Sequence, residues 1–266
     1  TSGSYSRPTG TTTFRWGMYF GANNLNPPAD YNIILVSGAQ IKSWPGNLNT
    51  ATTTITKANN STNLNNGGSW VGGDAPGLYN QALWNSTVTT TNSTTLAADQ
   101  LWAGLKIVNP GGSVTINGNS ILGLDESGVD MTTASQNLTV NCPVLMAVAS
   151  PWSVAAGRTA IFNGVIGGYP GLTVDGGGTV QLAASNTYGG DTTVSSGTLR
   201  VKDDSALSTG RLVLNGGNLS NTVSSTLGND VILSSNATVS VGTSQTLNLK
   251  GGIGGTASIT KTSAGK

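Results

Sequence analysis

The chain has 266 residues, 9% of them charged, with 12 Lys and Arg against 11 Asp and Glu, no His, one Cys and 38 Gly. With 37 Thr, 29 Ser and 27 Asn beside the glycines, close to half of it consists of four residue types that form helices poorly, which argues against a helical fold. The near-neutral balance offers no basic stripe to displace counterions from nucleic acid or to dock on anionic lipid, and the longest apolar runs, residues 33–36 and 144–149, fall far short of the ~20 residues that cross a bilayer.

In chain order, the first predicted element is a strand over residues 13–20, where Phe14, Trp16, Met18 and Phe20 alternate onto one side. Residues 31–36 read as a fully buried strand around Ile33 and Leu35. Residues 1–60 are set apart as an aromatic-rich segment. It is read as a cap over the first coil of a repeating region, or as a docking arm for a neighbouring subunit; a sugar-binding strip is the third reading.

From residue 61 onward the apolar residues come in bursts of period two. Residues 114–116, 138–140, 172–174, 180–182, 199–201, 212–214, 239–241 and 247–249 each put two apolar side chains on one face, in six of the eight with a Thr, Ser, Asn or Gln between, as half-buried strands do. Between them lie punctuators such as Pro110-Gly111-Gly112, Gly176-Gly177-Gly178 and Gly216-Gly217. Many short strands at even spacing make an all-β chain.

Residues 153–178 echo residues 240–265 at a constant offset of 87, with nine identities in 26 positions, including Ile166-Gly167-Gly168 against Ile253-Gly254-Gly255. A sandwich has no reason to repeat at that distance, whereas a solenoid does. With coils of roughly 20–25 residues, 87 is about four coils, and the chain makes on the order of ten to twelve in a rod roughly 50–60 Å long. Stacked coils place identical positions above one another, which favours Thr, Ser and Asn ladders over charges.

Residues 176–182, then Ser185-Asn186-Thr187-Tyr188-Gly189-Gly190-Asp191-Thr192-Thr193-Val194 and Gly197-Thr198-Leu199-Arg200-Val201, resemble the autotransporter-associated β-strand repeat of bacterial surface proteins. Here the Gly pair sits one place early and Asp191 takes the second glycine's usual position. Residues 259–266 resemble the opening of a following copy, and the resemblance extends over about residues 65–266. It implies a right-handed parallel β-helix exported to a bacterial surface, as a passenger, stalk or adhesive protein, and it brings no catalytic residues and no cofactor.

An enzyme is the competing class, since parallel β-helices also host polysaccharide lyases and hydrolases. Without His, the usual general base and the commonest metal ligand are missing. Carboxylates that could act as a glycosidase pair are Asp125, Glu126 and Asp130, and Asp203 with Asp204; the first three could also form a calcium or substrate site, and both groups otherwise read as turns. Lys106, Arg158 and Arg200 read as exterior strand positions, and Cys142 as a buried core thiol without a disulfide partner. The expectation is therefore a non-enzymatic extracellular rod. Because residues 259–266 stop inside a repeat, its edge at Ile259 and Lys261 is expected to receive the next subunit's Phe14–Phe20 strand or its Tyr31–Val36 strand, with Ile33 and Leu35, and build a fibre. Surface glycans are the partner implied by the adhesin alternative.

Overall fold

In the computed structural model the described residues are 52–266, together with a short antiparallel pairing of Val36–Ser37 with Gln40–Ile41. The chain divides into two compact units, Thr1–Thr50 and Ala51–Lys266. Phe14, Trp16, Met18, Phe20, Ile33 and Leu35 lie outside the described residues.

The second unit is a parallel β-solenoid whose coils have three faces. The first face belongs to a 12-stranded sheet and carries Thr53–Thr56, Asn80–Trp84, the trailing halves of Gln100–Ile107 and Leu122–Met131, Pro151–Val154, Leu172–Asp175, Thr192–Val194, Leu212–Asn215, Val231–Ser235 and Ile253–Gly255. The second is a 9-stranded sheet running from Asn92–Thr95 through Val114–Asn117, Leu138–Val140, Thr159–Phe162, Thr179–Leu182, Thr198–Val201, Asn218–Asn221 and Ala237–Val241 to Ile259–Lys261. The third is narrower: the leading halves of Gln100–Ile107 and Leu122–Met131, then Val144–Met146 and Ile166–Gly168, and farther along Ser225–Leu227 under Leu247–Leu249. Nine rungs at ~4.8 Å make a stack roughly 40 Å long. That is shorter than expected from 266 residues, because residues 1–51 lie outside the described stack and residues 57–79 fold across its end instead of adding a coil.

Alternation decides what faces inward. On the second face Val114 and Ile116, Leu138 and Val140, Ala160 and Phe162, Val180 and Leu182, and Leu199 and Val201 are all buried, while Thr115, Thr139, Ile161 and Arg200 between them are partly exposed and Gln181 is covered. Stacking them rung over rung turns a period-two pattern into continuous aliphatic columns, and this is where the fold gains most of its apolar burial. Cys142 is part of this core. Burial pushes its thiol up to about 11 against a bond from its own backbone N–H, so it is an inert apolar side chain at neutral pH.

The 87-residue echo does not join stacked positions. Val180, Leu199, Leu219, Val239 and Lys261 stand on successive rungs, so four coils take 81 residues. Ile166 stacks on Val144 on the third face, whereas Ile253 stacks on Val231 on the first. What the two Ile-Gly-Gly segments share is a corner. Gly168 and Gly255 end their strands at φ +122° and +119°, each with its α-carbon against a carbonyl of the adjacent coil. The echo repeats a turn requirement on two different faces.

One end of the stack is closed. After Thr53–Thr56 the chain leaves the coil, runs out through Leu64 and returns through a 3-10 turn at Gly67–Ser69 so that Lys57 and Trp70 pair in antiparallel fashion. Val71 N–H donates to Thr56 O at 2.9 Å and Leu64 N–H to Thr95 O at 2.9 Å, so this excursion takes bonds that an edge strand would leave open. Trp70 lies edge-on to Trp84 and Trp102, with ring centroids 5.5 and 5.6 Å away, and its indole N–H donates to Leu64 O. Trp84 N–H donates to Asn92 Oδ1 and Asn92 Nδ2 to Asn60 O, tying cap to first coil.

Lys57 is fully buried in this cap, its ammonium donating to Ala58 O, Asn60 O and Asn60 Oδ1 at 2.8–2.9 Å. Burial lowers its pKa from 10.5 to about 8. The charged form therefore costs stability below about pH 8, and the cost is relieved as pH rises from about 8 to 10.5, where the unfolded chain holds a proton that the folded chain has lost. Cys142 and Tyr188, raised to about 11 and about 12, act in the opposite sense in neighbouring windows, so the effect is read as a difference. Between pH 8 and 10.5 urea denaturation will show wild type gaining up to ~3 kcal/mol relative to Lys57→Met; a difference independent of pH would contradict a lysine titrating in the cap.

Candidate functional site

A shallow, open groove of about 300 Å³ lies on the outer side of the first face, lined by Gln81, Glu126, Ser127, Val129, Asp130, Thr132, Pro151 and Ser153. Its relief comes from a local irregularity. Trp102 pairs with Leu124 and Gly104 with Gly128, so residues 125–127 stand opposite Ala103 alone and are pushed outward. Glu126 Oε1 accepts a bond from Thr52 Oγ1 at 3.2 Å. Asp130 pairs with Lys106 at 2.7 Å and accepts from Thr132 N and Oγ1 at 3.1 and 2.7 Å. Burial pushes the Asp130 carboxyl up, but the bonds from Lys106 and Thr132 outweigh it and leave the group below the usual carboxylate range. Asp125, by contrast, is raised by burial and by the neighbouring Glu126 charge, against a bond from the Glu126 backbone.

Of the sequence candidates, the structure brings Glu126 and Asp130 into one groove and leaves Asp125 off its lining. Among the described residues no three His, Cys, Asp or Glu side chains come together as metal ligands, and Asp130 is already committed to an ammonium. Asp203 and Asp204 are structural. Asp203 accepts from Ser205 N, and Asp204 reaches Thr226 N on the next coil. The groove presents hydroxyl, amide and carboxylate groups beside the apolar Val129 and Pro151. Ile259 and Lys261 lie exposed on Ile259–Lys261, paired on one side with Ala237–Val241.

Chemistry along the coils is mostly ladder chemistry. Asn163, Asn141 and Asn117 donate in succession to Asn141, Asn117 and Ser93 at 2.8, 2.7 and 3.0 Å. Asn186, buried, accepts from Ile166 N at 2.8 Å below and donates to Ala206 O at 2.7 Å above, so one side chain links three coils. Tyr188 fills the core beside it with its hydroxyl 2.6 Å from Thr192 Oγ1. Asp191 accepts from Arg211 N and Nη2 across 20 residues, which holds its carboxyl below the usual range. This pairing was not anticipated from sequence; once a coil length of 20 is known, the spacing of Asp191 and Arg211 reveals it.

These features define a β-solenoid repeat protein whose repeat motif consists of inter-coil ties. Residues 172–201, one coil and half of the next, match the family model described as Passenger-associated-transport-repeat. The chain is also 38% identical over 91 residues to the Adhesin BmaC autotransporter of Brucella suis biovar 1 (strain 1330), an alignment that covers 34% of this chain and 3% of that protein. No solved structure matches. Residues 172–201 thus match a passenger-associated transport repeat, and within them Asn186 and Asp191 tie adjacent coils together while Tyr188 fills the core.

Proposed function

We propose that this chain is a rod-forming segment of a secreted, cell-surface bacterial adhesin, a non-enzymatic passenger whose stacked coils hold adhesive surface away from the cell. The observation that carries the reading is the run of parallel rungs centred on residues 172–201, where the passenger-repeat motif coincides with the buried inter-coil ties. Its mechanism is mechanical. Ladder bonds and aliphatic columns that repeat every coil resist local opening and protease attack along the whole rod.

Two further observations support parts of this reading. Three of the five candidate carboxylates are engaged: Asp130 by Lys106, Asp203 and Asp204 by turn and inter-coil N–H groups. The excursion from Lys57 to Trp70 takes the Thr56 and Thr95 carbonyls at one end of the described stack, which fits a rod with a finished end there. Antibodies raised against the chain will label intact cells that produce it, and electron microscopy of the purified chain will show short rods. Labelling only after permeabilisation would overturn the surface assignment, and continuous filaments would restore end-to-end assembly.

A further inference from the structure

The sequence contains four Asn-Gly steps, at Asn66, Asn117, Asn163 and Asn215, and the fold treats them unequally. Such a step is chemically weak, because a glycine carries no Cβ to shield its backbone nitrogen, which can reach back to the side-chain amide before it. The reach requires the asparagine side chain to leave its partners and the glycine to swing. Three of the four steps resist both. Asn66 Oδ1 accepts from Gly68 N at 2.8 Å at the head of the 3-10 turn. Asn117 is held at both ends of its amide, donating to Ser93 Oγ at 3.0 Å and accepting from Asn141 at 2.7 Å, and Asn163 donates to Asn141 at 2.8 Å. Their glycines are wedged as well: a Cβ on Gly67, Gly118 or Gly164 would lie 1.9, 2.4 or 2.1 Å from a backbone oxygen.

Asn215 differs on each count. It is exposed at the end of Leu212–Asn215, its amide nitrogen has no partner, and its Oδ1 accepts only from Ser235 Oγ at 3.2 Å. A Cβ on Gly216 would come no nearer than 3.1 Å, to Ser195 O, so this corner has slack that the other three lack. The ladder also slips here: Leu214 pairs with Leu233 but Asn215 with Ser235, leaving Ser234 with no residue opposite. We propose that Asn215 is the site of a selective, spontaneous deamidation of the folded rod. The Gly216 backbone nitrogen loses its proton and attacks Cγ of Asn215; the new N–Cγ bond closes a succinimide, the Cγ–Nδ2 bond breaks, and ammonia leaves with the proton. Water then opens the ring at either carbonyl, giving an aspartate or a β-linked isoaspartate. Both products place a carboxylate where Ser235 Oγ can still donate to it. The β-linkage also lengthens the main chain at the corner between Leu212–Asn215 and Asn218–Asn221, so the modification alters charge and coil geometry in one place.

Peptide mapping by mass spectrometry, on the whole chain aged for weeks in neutral buffer, tests the assignment. Asn215 will convert on the order of tenfold or more faster than Asn66, Asn117 and Asn163, because those three must first open locally before the ring can close. In concentrated urea only the local chemistry remains, and the four rates will converge to within a few-fold. Chromatographic separation of the peptide isomers will show the β-linked form at position 215. Asn215→Gln, whose longer side chain closes a ring far more slowly, will abolish conversion there and leave the other three rates unchanged. An Asn215 that stays intact in the folded chain while it converts in urea would overturn the proposal. So would equal conversion at any of the other three steps in the folded chain, or a preference for Asn215 that persists unchanged in urea.

Discussion

Trp70→Ala is expected to unfasten the closed end of the solenoid and to lower its stability by ~3–5 kcal/mol, the range for removing a buried large aromatic. Trp70 is 2% exposed and touches Trp84 and Trp102 edge-on, so its loss leaves a cavity bordered by these two indoles. It also takes away the donor to Leu64 O, leaving a carbonyl inside the cap unpaired. The consequence extends beyond packing, since Lys57, Ser69 and Val71 stay over Thr53–Thr56 only while the excursion between them is pinned down. With the pin gone, the edge of Thr53–Thr56 is open to other chains. Urea denaturation followed by circular dichroism will therefore show the loss in stability, and light scattering will show association that wild type lacks. Val71→Ala is the control. Val71 is 55% exposed, and its truncation should change stability by less than about 0.5 kcal/mol. Equal stability for Trp70→Ala and wild type would mean that the stack does not depend on its cap.

Much of the coil was legible in the sequence, because a half-buried strand writes its inward face directly as a two-residue alternation. Leu138-Thr139-Val140 and Leu199-Arg200-Val201 have the expected burial, and the glycine pairs between bursts fall at corners. The cap was not legible where it lies. Lys57 reads as a surface charge in any window of sequence, and only the fold reveals the three oxygens around its ammonium. The repeat length was misjudged for a related reason: identical corner chemistry at Gly168 and Gly255 produced an echo of 87 residues between positions that do not stack. The candidate acids illustrate a third limit. Asp125 and Glu126 are neighbours in sequence, yet the irregularity opposite Ala103 gives only Glu126 to the groove.

Gly168→Ala will be among the most damaging methyl groups that can be added to the middle of the rod, and three companion substitutions separate its two causes. Gly168 sits at φ +122°, and a Cβ there would lie 2.2 Å from Met146 O on the neighbouring coil. Backbone strain of ~1–3 kcal/mol and overpacking of ~1–3 kcal/mol then add, because neither the corner nor the ladder beneath it can move without the other. Gly164, whose φ is ordinary, meets Cys142 O at 2.1 Å, so Gly164→Ala incurs the steric cost alone. Gly157 is at φ +74° with open space around it, so Gly157→Ala incurs the strain alone. Gly254 has neither feature, and Gly254→Ala should be nearly neutral. The expected order of stability loss in urea is Gly168→Ala first, Gly164→Ala and Gly157→Ala between, Gly254→Ala last. Limited proteolysis adds the location: the Gly168 variant should be cut near residues 146–168, because a solenoid coil contacts only its neighbours and a wedge between two of them parts the stack there. If Gly168→Ala were no worse than Gly157→Ala, coil spacing would be soft at that corner, and the stiffness assigned to the rod would have to come from its side-chain columns rather than from close contact between backbones.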